Sequence, residues 1–355
     1  MKPDYQLLKK LSEAAGVPSR EEKIRSIIKA EVDGKVDQLS VDPLGNLVAL
    51  KKSGKPGATR VMVAAHMDEI GFLVRHVDDK GFIRVHSVGG FDTRNLFARQ
   101  VTVHASLSGE ELVGLMNPAG KPIHISTPEE RSKIPALDAF YIDTGLDAEA
   151  VKSKVRIGDM VTLRQEFHDL GSVVTGKALD DRQGCWILVE TIKQLQGADM
   201  GADLIAVFTV QEEVGLRGAI TSAYDGQADV GVALDTTLAV DTPEIKEHLR
   251  VTQLGKGVAL KVMDSSIIST RWLLDHFIDL AERTSVEYQL EVLPLGGNDA
   301  GAIQKSRGGV PAITLSTPSR YVHTVTEMVS KADLEGAIAL LTSFIREGVS
   351  TEGRA

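Results

Sequence analysis

The sequence predicts an α/β protein, a mixed sheet flanked by helices and interrupted by an inserted β-rich domain. Three observations carry this. Strand and helix signals alternate in the C-terminal part, the pattern of a sheet covered by helices on both faces. From about Gly71 to Leu163 the texture changes to short alternating runs broken by Gly, Asp and Pro, which predicts small antiparallel strands. Several apolar runs, finally, end abruptly in His, Asp or Glu. A chain of 355 residues fits one domain plus an insertion. Residues 1–70 and 164–355 are assigned to the α/β unit and residues 71–163 to the insertion.

Taken in order, two amphipathic helices open the chain, the second capped at Ser19 with Glu22 three residues later, as in a capping box. Strands follow over Asn46–Lys51 and Thr59–Ala65. In the insertion, Phe82–His86 and Val101–His104 alternate as half-buried strands do. Beyond it the signals read helix at Arg182–Leu195, strands at Leu204–Val210 and Val230–Leu234, helix at Thr270–Ala281, strand at Pro311–Leu315 and helix at Lys331–Ile345. No internal repeat or low-complexity segment interrupts this order.

Composition narrows the function. Hydrophobic residues at 43% and charged residues at 25% are those of a globular chain, not a disordered one. A net charge of −9 without any Lys/Arg cluster argues against nucleic acid or an anionic membrane surface as partner. The N-terminal segment carries charges throughout, unlike a signal peptide, and no apolar stretch is long enough to span a bilayer. The single cysteine, Cys185, falls within a predicted helix and cannot form an intrachain disulfide. Together these predict a cytoplasmic protein with a buried thiol.

The chemistry lies at the ends of the apolar runs. Val61–Ala65 ends in His66-Met67-Asp68-Glu69; in extended chain His66 and Asp68 share a face, which suits an imidazole metal ligand with a carboxylate fixing its tautomer from behind. Leu204–Val210 leads to Glu212 and Glu213, Val230–Leu234 to Asp235, and Pro311–Leu315 through seven residues to His323. Glu-Glu pairs usually mark solvated helix faces, and a polar strand end is usually just a turn. Four such ends together are different, because ligands of open α/β sheets bind beyond the carboxyl ends of the strands. Asp180 and Asp181, before a helix, add a fifth position, although either could serve only as an N-cap. As a set, two histidines and three carboxylates suit a pair of zinc-like ions with one carboxylate bridging. Of Glu212 and Glu213, either could be a ligand and the other a base for water. Gly171–Lys177 partly fits a phosphate-binding loop, but Ala178 stands where a hydroxyl belongs and Val173–Thr175 reads as strand.

These motifs, together with Gln211–Gly218, Gly296-Gly297-Asn298-Asp299-Ala300-Gly301 and Arg320–His323, make the chain resemble the tetrahedral (TET) aminopeptidases over nearly its whole length. That metallopeptidase family includes bacterial glutamyl aminopeptidases and proteins sometimes labelled endoglucanases. The resemblance implies a zinc-exopeptidase-like fold. It implies two divalent ions per subunit, zinc foremost with cobalt or manganese possible, bridged by Asp180, with His66 and Asp235 on one and Glu213 and His323 on the other. Glu212 becomes the general base and Asp68 the support of His66. The implied reaction removes N-terminal residues from peptides by a water bridging the metals. Also implied are dimers built through the insertion and a hollow tetrahedral dodecamer. Asn298 departs from the Thr common at that position, a difference expected to bear on substrate or subunit contacts. Two other classes remain: an endoglucanase-type glycoside hydrolase, which needs only two opposed carboxylates, and a non-catalytic peptide-binding protein.

Overall fold

A computed structural model describes residues 3–353. The strands in chain order are β1 (Gln38–Val41), β2 (Leu47–Lys51), β3 (Thr59–His66), β4 (Gly71–Val77), β5 (Ile83–Val88), β6 (Arg99–Ala105), β7 (Glu110–Pro118), β8 (Phe140–Asp143) and β9 (Met160–Leu163). They continue with β10 (His168–Asp169), β11 (Val173–Gly176), β12 (Ala202–Thr209), β13 (Val230–Leu238), β14 (Val258–Met263), β15 (Tyr288–Val292), β16 (Ala312–Arg320) and β17 (Glu327–Ser330).

Strands β4 to β9 close into a barrel in the order β4-β5-β8-β7-β6-β9, all of its pairings antiparallel. Its limits, Gly71 and Leu163, are those at which the sequence changes texture. The other eleven form one mixed sheet, with β12, β3, β13 and β16 parallel neighbours at its centre.

Period-two alternation explains why helices cover both faces. On β3, Val61, Val63 and Ala65 join the larger core with the helices Leu179–Gln194 and Lys331–Glu347, while Met62 and Ala64 join a second core with Ala223 and Ile303. Strand β12 divides in the same way, Leu204, Ala206 and Phe208 to one side, Ile205 and Val207 to the other. A strand buried on both faces reads as a continuous apolar run, which is what the sequence shows here. All four central strands therefore run in one direction and deliver their carboxyl ends to one edge.

Some expectations need correction. The second helix, Glu22–Val32, has Glu21 at its N-cap position, not Ser19. Ser19 has a positive φ of 68°, its N–H donates to Glu21 Oε1, and its hydroxyl accepts from Arg20 Nη1 rather than from a helix N–H. The helix expected at Arg182 begins at Leu179, with Asp180 and Asp181 in non-helical backbone joined by a cis peptide. Strands β13 and β16 run on past the apolar residues, paired in register as far as Leu238 and Ser319. Asp235 thus lies inside a strand rather than after one. The Gly171–Lys177 segment contains strand β11, and the Lys177 ammonium is buried against Glu69, 2.6 Å away, so no phosphate loop exists there. Cys185 is a free buried thiol, as expected. No helix among the described residues is long and apolar enough to cross a membrane.

Candidate metal centre

The fold brings His66, Asp180, Glu212, Glu213, Asp235 and His323 to the walls of one cavity of about 660 Å³. The Asp180 carboxylate is central. Its Oδ1 lies 3.2 Å from His66 Nε2, and its Oδ2 lies 3.5 Å from His323 Nε2. His323 Nε2 is also 3.3 Å from Glu213 Oε1. Two donor triads share Asp180, His66-Asp180-Asp235 and Asp180-Glu213-His323, and a third, His66-Glu212-Glu213, lacks it; each has its ligand atoms within 4.8 Å of one another. Asp180 directs one oxygen toward each histidine. Glu212 stands beside the first triad, its Oε2 3.9 Å from His66 Nε2. Asp181 is in none of these triads; its Oδ1 accepts the N–H of Gly184 at 3.1 Å, an N-cap contact.

Asp68 supports the centre differently from the sequence expectation. His66 Nδ1 donates to the Asp68 backbone carbonyl at 3.0 Å, which orients the ring so that Nε2 faces Asp180. The Asp68 carboxylate, 3.7 Å from His66 Nδ1, instead accepts the N–H groups of Glu212 and Glu213 at 3.0 and 3.1 Å. One residue thereby orients the imidazole with its carbonyl and fixes the Glu-Glu turn with its side chain. That turn is also held by a close approach at Gly218, where a Cβ would overlap Asn46 Oδ1 and the backbone of Val210.

Sequence reasoning missed two supports. Glu327, 2% exposed, accepts the N–H of Asp180 at 2.9 Å through one oxygen and that of His323 at 2.8 Å through the other. Glu69 accepts the N–H of Gly16 and pairs with Lys177, tying the segment after His66 to the one before Asp180. The signal for Glu327 was available only as an acidic residue four places after His323. Asn298, 1% exposed, caps the helix Asp299–Gln304, accepts from Thr314 Oγ1 and donates Nδ2 to Asp264 at 2.6 Å. It lines the cavity itself and also fixes Asp264 in the wall. The barrel also reaches the centre: a Cβ on Gly90 would lie 3.6 Å from His323 Nδ1, and Val325, two residues after His323, is buried in the barrel core.

The electrostatics of this donor set call for a cation. Burial, with Asp235 and Glu213 adding to it against His66, pushes the Glu212 carboxyl well above its ordinary range. Burial and Asp180 do the same to Asp235. Asp180 is held low, because hydrogen bonds from His323 and His66 overcome its burial. Each histidine is in turn held high, its carboxylate partners outweighing burial. Four crowded carboxylates sharing two imidazoles are the chemistry of a divalent-cation site, where the ion's charge reverses these preferences. A larger cleft of about 710 Å³ between the first helix and the barrel contains none of these donors.

An α/β sheet carrying such a cluster near the carboxyl ends of its central strands fits the class of metal-dependent hydrolases. The pattern of the M42 glutamyl aminopeptidases matches residues 45–340, and the chain belongs to that family. It is 32% identical to the lysyl aminopeptidase of Pyrococcus furiosus, over 97% of this chain and 97% of the relative. Among solved structures, the aminopeptidase APDkam598 of Desulfurococcus kamchatkensis superposes with a TM-score of 0.91 at 36% identity, covering 97% of this chain and 94% of its own. The Pyrococcus horikoshii TET1 peptidase, which can assemble into a tetrahedron or a large octahedral shell, gives 0.85 at 31% identity, with 97% and 99% covered. The chain is thus an aminopeptidase, a peptide hydrolase of a family that uses divalent metals. A glycoside hydrolase is not favoured, since the histidines have no part in two-carboxylate chemistry.

Proposed function

We propose that the chain hydrolyses the N-terminal peptide bond at a centre of two divalent ions. The carrying observation is the Asp180 carboxylate, with one oxygen directed to each histidine. His66 and Asp235 would hold one ion, Glu213 and His323 the other, and Asp180 both. Two histidines and three carboxylates suit zinc best, with cobalt or manganese compatible. When bound, such ions polarise the scissile carbonyl and make water acidic enough to deprotonate. Glu212 receives that proton and returns it to the leaving amine. Asp68 holds the backbone that aims Glu212 and Glu213. Glu327 sets the spacing between Asp180 and His323.

Metal titration of two variants tests this. His323→Ala is expected to retain one tight ion where the parent chain binds two. Glu327→Ala is expected to weaken one ion roughly 10- to 100-fold, the usual cost of losing an outer-shell partner. Two undiminished ions in His323→Ala would refute the ligand assignment.

The barrel of residues 71–163 is proposed as the dimerisation domain, and the dodecamer as the assembled form. Support comes from the shell-forming TET1 relative and from Val113, Leu115, Ile123, Ile125 and Ile134, large apolar side chains exposed on the barrel and its long connection. Light scattering should then give a mass near twelve copies of the 38.2 kDa chain; a monomer at micromolar concentration would contradict the assembly. A cytoplasmic setting accords with the lone reduced thiol of Cys185.

A further inference from the structure

The cavity extends well past the donor cluster. Its far wall is formed by the end of β13, Lys261 of β14, Asp264 to Ser266, and the loop Leu293 to Asn298. Outside the cluster, Lys261 and Asp264 are the charged side chains lining it, and both are already committed. Lys261, 2% exposed, is paired with Glu291 and lies 3.3 Å from Asp264 Oδ2. Asp264 Oδ1 accepts from the N–H and hydroxyl of Ser266 and from the N–H of Ile267, and Oδ2 accepts from Asn298. Both charges are thus already neutralised by partners within the protein.

The remaining wall is uncharged, with hydroxyl and amide groups deeper in and an open apolar rim. Leu295 is 78% exposed and Leu238 39% exposed, with Leu293 and Val322 half-buried beside them. Exposed leucines gathered at the mouth of a cleft contribute little to folding and mark a binding surface. We propose that this part of the cavity receives the N-terminal side chain of the substrate and selects an uncharged aliphatic one, of the leucine or methionine kind, over acidic or basic ones. A lysine or glutamate side chain here would give up hydration without finding a free counter-charge. The acidic cluster would not supply one for lysine, because Asp180, Glu213 and Asp235 would be neutralised by bound ions and Glu212 would be occupied by the attacking water. The proposal rests on the aminopeptidase reading of that cluster.

The test is a panel of aminoacyl p-nitroanilides with the metal-loaded chain. Leucine and methionine substrates are expected to exceed glutamate and lysine substrates in kcat/KM by at least ~10-fold, the lower end of what one pocket contact discriminates. Leu295→Ser, at an exposed loop position, should lower kcat/KM for the leucine substrate several-fold more than for the alanine substrate; an equal loss on both would count against a side-chain subsite. Calorimetric affinities of leucinamide and lysinamide for metal-loaded Glu212→Gln should follow the same order without any turnover. A glutamate or lysine substrate cleaved as well as leucine would overturn the subsite while leaving the aminopeptidase reading intact. Failure to cleave any substrate would overturn both.

Discussion

Glu212→Gln is expected to lower kcat by about 10³-fold, within the 10²- to 10⁴-fold range of general acid–base catalysis, with the metal content unchanged. The substitution keeps the shape of the side chain and removes only its capacity to take a proton. The backbone of residue 212 stays anchored, because its N–H donates to Asp68 rather than to anything the change disturbs. Glu212 is outside both triads that share Asp180, so the ligand set survives. Turnover of a leucine p-nitroanilide alongside plasma emission analysis of bound metal separates the two roles. Full activity would remove Glu212 from the mechanism. Loss of an ion would make it a ligand and leave Glu213 as the candidate base.

Asp180→Ala is expected to have the larger effect on the centre itself, emptying both positions and abolishing measurable turnover. Asp180 supplies a donor to the two triads that share it, so its loss leaves each with only two donors. Metal affinity should fall by more than the roughly 10- to 100-fold typical of an outer-shell partner, at both positions. Excess zinc or cobalt should fail to restore activity. The fold should persist, since the backbone N–H of residue 180 still donates to Glu327. Equilibrium dialysis with circular dichroism as the folding control decides it; retention of two ions with normal affinity would exclude a shared carboxylate.

The central strands and the limits of the barrel were legible because burial dictates them. A strand covered on both faces must be apolar throughout, and a small barrel must alternate, so β3, β12 and the change of texture at Gly71 are visible in residue type alone. Less visible were β14, which carries the buried Lys261, and β17, which carries the buried Glu327. A charge in a short strand hides the apolar pattern, and its partner lies far away in sequence. The candidate donors could be read because each follows or ends an apolar run. Their supports could not: Glu327 acts through backbone N–H groups of Asp180 and His323, and no residue-type pattern encodes that contact. Ser19 shows the converse, a capping-box pattern in the sequence that a left-handed backbone two residues before the actual N-cap, Glu21, leaves unused.

The burial of Val325 in the barrel core gives the insertion a different standing from a detachable module. The chain enters the barrel at Gly71, five residues after His66, and leaves it at Leu163 before the Asp180 segment. It is then pinned to the barrel again next to His323. Any rearrangement of the barrel must therefore be felt at both histidines at once. A lineage could lengthen the barrel loops or redesign its outer surface freely, but deleting the barrel would remove the packing that holds the segment carrying His323.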